Sequence, residues 1–194
     1  GATGRTGPTQ AQVNSAYAST NLNNAVTINT QGIQEWTVPI GGLYKFTVYG
    51  AQGAGTNTYT GGKGAKIYGE ITLNANDVLL IVVGQQGLGS SSGATGGGGG
   101  TYVAKKVANG NHIPLIIAGG GGGLGGSQSG NFGGNGNPGL ATEAAGAGDN
   151  CTNNGDGVSH GGGNSSSCGN GAGGGGGWQS DGKSGGSWGG QRGY

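Results

Sequence analysis

Apolar and polar positions alternate from Trp36 onward. Trp36, Val38 and Ile40 share one side, Gly41-Gly42 follows, and Tyr44, Phe46 and Val48 resume the alternation. This predicts a β-hairpin with one buried face. In "AKIYGEITL" the same period places Ile67, Ile71 and Leu73 together, whereas "DVLLIVVG" is apolar throughout and reads as a strand buried on both faces. Asn74 to Asp77 supplies turn residues between them. "TYVAKKV" and "HIPLIIA" bracket Asn109-Gly110, a second hairpin signal. Before Trp36, residues 10–31 are polar and nearly free of glycine, and only "AVTINT" alternates. No segment sustains a 3.6-residue period, so the expectation is an all-β, antiparallel core.

Glycine changes this picture. Of 55 glycines, 42 lie beyond residue 83, including runs of five at 96–100, 119–123 and 173–177. Such runs are ordinarily linkers. Here two of them adjoin the apolar segments "TYV" and "IPLIIA", which act as anchors. An extended left-handed glycine helix has three residues per turn and no internal hydrogen bonds, so its N–H and C=O groups need lateral partners. Without Cβ atoms, several such helices pack closely enough to supply them. Their mutual bonds must offset about 0.5–1 kcal/mol per glycine relative to alanine. The expectation is a polyglycine II bundle, mainly within residues 84–194, inserted into the β domain.

The ordered series "WTVPIGGLYKFTVYGAQGA", "GGKGAKIYGEITLNANDVLLIVVGQQG", "GGGGGTYVA", "PLIIAGGGGG" and "GGGGGW" resembles the glycine-rich domain family found in the ectodomains of anaplastic lymphoma kinase and leukocyte tyrosine kinase. The resemblance runs from about Ile33 to Trp178. It implies a jelly-roll, tumour-necrosis-factor-like β-sandwich carrying polyglycine helices. Nothing in the sequence resembles the receptors' membrane span or kinase, so receptor signalling is not carried over. The chain is also similar, more weakly, to polyglycine-rich tips of phage tail-fibre adhesins.

Charge and cysteine usage bound the compartment and partners. Eight Lys+Arg against seven Asp+Glu leave no electrostatic reason to expect nucleic acid. No apolar run approaches the ~20 residues of a membrane span. The chain starts at Gly1 without a signal-peptide pattern, as expected of a processed chain or a piece of a longer one. Cys151 and Cys168 lie in one Gly/Asn/Ser loop without partners at zinc spacing. A local disulfide is expected, contributing roughly 3 kcal/mol through the unfolded state. Asn150 and Asn164 head N-x-[ST] sequons in the same stretch. Together these point to an extracellular, glycosylated protein.

Gly1 to Thr9 forms three Gly-X-Y triplets with Pro8 at an X position, as at the end of a collagen-like stalk. Residues 1–31 are therefore expected to be a collagen-like start and polar assembly arm, and residues 32–194 the glycine-rich β domain. Catalytic patterns are weak. "GWQSDGKS" satisfies a phosphate-loop spacing without a strand or helix around it, and "GSSSG" centres on Ser91 without acid or histidine partners. His112 adjoins a strand and His160 a glycine loop. "DNCTNNGDG" is rich in oxygen ligands, but Cys151 occupies a ligand position of the calcium loop. No enzyme, cofactor or metal is expected. Trp178, Trp188 and Tyr194 punctuate the terminal glycine segment, either capping the bundle or forming a ligand or assembly surface. The leading expectation is a structural subunit that self-assembles as a trimer or filament, through a collagen-like stalk or a donated N-terminal strand. The alternative is an adhesin or receptor-binding tip for a cell-surface protein or glycan.

Overall fold

The structure, a computed structural model, describes residues 6–57, 59–89 and 95–124. One helix and seven strands occur in it: α1 Gln10–Tyr17, β1 Val26–Thr30, β2 Ile33–Thr37, β3 Gly42–Tyr49, β4 Lys66–Leu73, β5 Val78–Val82, β6 Thr101–Lys106 and β7 His112–Ala118. A five-stranded sheet has the order β1-β2-β5-β6-β7, and β3 pairs with β4 in a second sheet. Every pairing is antiparallel. The all-β, antiparallel expectation holds for the described residues apart from α1.

The strand periodicities translate into one core between the two sheets. Val38, Val48, Leu73, Leu79, Val103 and Ile116 are buried there, with Trp36, Tyr44, Phe46, Ile67 and Ile71 packed around them. The Trp36 and Tyr44 rings meet edge to face at 5.8 Å. Gly69 belongs to this packing, since a Cβ there would stand 3.3 Å from the Ile116 side chain. β5 sits in the middle of the larger sheet, and its consecutive residues Leu79 and Leu80 are both buried. This matches the apolar run. The Asn109-Gly110 signal also holds: β6 and β7 pair across a single 3-10 turn, with Gly110 at φ +76°.

Three expectations fail for physical reasons. Trp36–Ile40 and Tyr44–Val48 do not form a hairpin, because β2 pairs with β1 and β5 while β3 pairs with β4. The chain crosses between sheets at Val38, which is fully buried and exchanges backbone bonds with the β4–β5 turn: Val38 N donates to Asp77 O and Asn76 N to Val38 O, both at 2.8 Å.

The N-terminal arm also folds onto its own chain. Thr9 caps α1 through a reciprocal box with Gln12, and β1 pairs with β2 across the Gln31-Gly32 turn. The expected boundary between residues 31 and 32 therefore falls inside a hairpin. The third triplet, Gly7-Pro8-Thr9, is not collagen-like either. Gly7 has φ +67°, opposite in sign to an extended left-handed helix, and Gly32 N donates to Pro8 O at 3.0 Å.

Candidate functional site: glycine segments and an aromatic face

Five glycine-bearing segments, at 50–54, 61–65, 84–88, 95–100 and 119–124, adjoin the strands and bond to one another sideways. Their donors recur every third residue. Gly50 and Gly53 donate to Ala65 and Gly62, and Ala51 and Ala54 to Gly99 and Gly96, all at 2.9 Å. Gly62 and Ala65 donate to Gly122 and Gly119 at 2.8 Å, and Gly96 and Gly99 to Leu88 and Gln85 at 2.9 Å. Gly87 N to Gln52 O and Gly121 N to Ala51 O link further neighbours. The paired positions run in opposite directions each time. These bonds satisfy backbone groups that a buried loop would leave orphaned.

The same period explains the glycines. A Cβ on Gly50 or Gly53 would run into the carbonyls of Gly119 or Gly122, and one on Gly61 or Gly64 into those of Gly53 or Gly50. Gly84 and Gly87 face Gly99 and Gly96 in the same way. Hence "GAQGA", "GGKGA" and "GQQGL" each repeat glycine at a spacing of three. In the runs of five, glycines face several neighbours: Gly98 meets Ala51, Gly120 meets Gly98, Gly121 meets Gly62 and Gly123 meets Thr95. The three-residue glycine spacing in the segments that flank the runs is the sequence signal of these contacts, more specific than the glycine content of the runs themselves.

Two threonines fasten the ends of the Gly96–Gly100 run. The Thr95 hydroxyl donates to Ala54 O and accepts from Leu124 N, both at 2.7 Å, in a fully buried position. The Thr101 hydroxyl donates to Tyr49 O at 2.6 Å and accepts from Gly84 N at 3.0 Å. Each donates to one end of the Tyr49–Ala54 stretch and accepts from a third segment. A threonine on each flank of a glycine run is the pattern that sequence reading passed over.

Where β3 and β4 enter this assembly, their outward face carries Tyr49, Lys66, Tyr68 and Glu70. Both tyrosines are 57% exposed. Tyr49 lies opposite Lys66 and Thr47 opposite Tyr68, so the two rings are diagonal neighbours. The Lys66 ammonium stands 5.4 Å from the Tyr49 ring centroid. Tyr68 donates to Glu70 Oε1 at 2.6 Å, and that bond raises its phenol above the ordinary value. Lys45 reaches Glu70 at 3.4 Å from the same face. Elsewhere, burial pushes the Tyr102 phenol up. Asp77 is held below the ordinary carboxylate value by Lys105, at 2.8 Å, and by the Asn74 backbone N–H.

Cys151, Cys168, Asn150, Asn164, Trp178, Trp188 and Tyr194 lie outside the described residues, as do Ser91, His160, the phosphate-loop match and the "DNCTNNGDG" stretch. His112 is exposed at the start of β7. Among the described residues no three His, Cys, Asp or Glu side chains gather as a metal site, and no helix is long and apolar enough to cross a membrane.

The chain is similar to the leukocyte tyrosine kinase receptor of Mus musculus, with 36% identity over 93 residues. That match covers 45% of the chain and 10% of the receptor, so the chain corresponds to a small part of that protein. No protein-family profile matches the chain.

Proposed function

We propose that this chain is an extracellular binding module, a jelly-roll sandwich braced by a polyglycine II bundle, that presents the outer face of β3–β4 to a cell-surface partner. The jelly-roll reading draws on the two antiparallel sheets with a shared core and on the chain's crossings between them at β2–β3 and β4–β5. The polyglycine II reading draws on lateral bonds that recur every third residue. Extracellular placement draws on the motif resemblance and on the partial similarity to a receptor.

The observation that carries the binding role is the pair of exposed, diagonal tyrosines beside Lys66. Aromatic side chains on an open face offer contact area at low entropic cost. The test is surface plasmon resonance of the purified chain against a panel of polysaccharides and cell-surface proteins. Saturable binding to a panel member, lost in Tyr49→Ala/Tyr68→Ala, is expected. Binding left unchanged by that double variant moves the site elsewhere on the molecule.

The self-assembling subunit retains one specific support. Among the described residues β3 and β4 form a sheet of two strands, and a strand from a second copy would extend it. Light scattering at high protein concentration separates the readings, since a strictly monomeric chain leaves the binding module alone.

A further inference from the structure

We propose that the β3–β4 face binds an anionic polysaccharide, with Tyr49 and Tyr68 stacking on sugar rings and Lys63 and Lys66 pairing the acidic groups. This inference rests on the binding-module reading and names its ligand class. Its first support is charge accounting. Among the described residues, the carboxylates are Glu35, Glu70 and Asp77, and each has its own lysine: Lys106, Lys45 and Lys105. Lys63 and Lys66 are the described lysines left without a carboxylate within 4.0 Å, and both are exposed. They are three residues apart at the point where a glycine segment becomes β4. At ~3.1–3.3 Å per extended residue their Cα atoms lie about 10 Å apart, close to the repeat of a disaccharide.

The second support is the aromatic geometry. Tyr49 and Tyr68 are both exposed at diagonal positions of one face, and the Lys66 ammonium stands 5.4 Å from the Tyr49 ring centroid. A sugar ring bearing a sulfate or carboxylate matches this combination of flat apolar surface and adjacent cation. Lysine suits it as a flexible point charge that follows an acidic group along a polymer. The Lys45–Glu70–Tyr68 chain of contacts holds the Tyr68 ring in place without adding net charge.

The experiment is calorimetric titration of the purified chain with dextran sulfate, hyaluronate, uncharged dextran and poly-L-glutamate, at low and at physiological salt. Saturable binding to dextran sulfate or hyaluronate is expected, weakening with salt. Lys63→Gln/Lys66→Gln and Tyr49→Ala/Tyr68→Ala should each weaken it at least tenfold with unchanged thermal unfolding. Lys106→Gln, which removes a charge from the other sheet, should leave it unchanged. Failure to bind either acidic polysaccharide overturns the inference, as does binding indifferent to the lysine pair or to the tyrosine pair. Equal binding of poly-L-glutamate overturns it in favour of an acidic protein surface. Equal binding of uncharged dextran overturns it while leaving the binding-module reading standing.

Discussion

At the scale of single residues, the two threonine hydroxyls carry more than their composition suggests. Thr95 is fully buried, and its one hydroxyl both donates and accepts between three chain segments. Valine matches its shape but leaves Ala54 O and Leu124 N without that partner. Thr95→Val should therefore lower unfolding stability by about 1–3 kcal/mol, read from urea denaturation, whereas an exposed substitution such as Thr72→Val should be near neutral. Asp77 makes a pH-dependent contribution. Its folded-state pKa lies below the ordinary 3.8, so its stabilisation is present above that value and fades as pH falls through the folded pKa. Asp77→Asn should remove part of the stability lost on acidification below about pH 4, measured as a smaller drop in Tm between pH 5 and pH 2. Neither role was legible in advance. Thr95 is an unremarkable neighbour of a glycine run in one dimension, and Asp77 reads as a turn residue whose lysine lies on β6.

At the scale of elements, strands were legible and their partners were not. Alternation around Trp36 and Phe46 depends only on which face is buried, so it survives in the sequence. Whether two such strands pair depends on whether the chain turns within a sheet or crosses to another, and buried Val38 makes it cross. α1 was missed because it buries a single residue, Val13, and so has little apolar periodicity. Its trace was Thr9 and Gln12, a capping-box spacing. The glycine segments yield a contrast that composition alone would not give. Gly53→Ala drives a methyl into the Gly122 carbonyl and should cost about 1–3 kcal/mol or more, while Gly42→Ala meets nothing within 4 Å and should be neutral or stabilise by about 0.4–1 kcal/mol. Chemical denaturation of both variants checks this. Hydrogen exchange gives an independent reading, because amides of Gly62, Gly98 and Gly121 bond across segments and should exchange as slowly as those of β5 and β6.

At the scale of the whole molecule, the N-terminal segment packs against an outer strand of the larger sheet. Its alternation at Ala25–Thr30 suggests a strand to lend, but among the described residues β1 lies at the edge of its own sheet. That edge is closed by a side chain from α1. Ile28 N donates to Gln10 Oε1 at 2.6 Å, and Gln10 Nε2 donates to Val26 O at 3.0 Å, so one amide occupies the backbone groups that an incoming strand would use. At the other end of the described strand order, β7 carries Pro114, which lacks a donor. Deleting residues 1–24 should therefore leave the two sheets folded but cost about 1–3 kcal/mol. The losses include Val13 burial, the Tyr17–Gln34 bond, the two Gln10 bonds to β1 and the Gly32–Pro8 bond, partly offset by the entropy of a helix no longer ordered. The same deletion uncovers the β1 edge. Sedimentation velocity over rising concentration should then show more self-association in the truncated chain than in the intact one, with Gln10→Ala intermediate. A donated strand or a triple-helical stalk demands the reverse, an oligomer that the deletion abolishes. The direction of that change tells a guarded edge from an assembly arm.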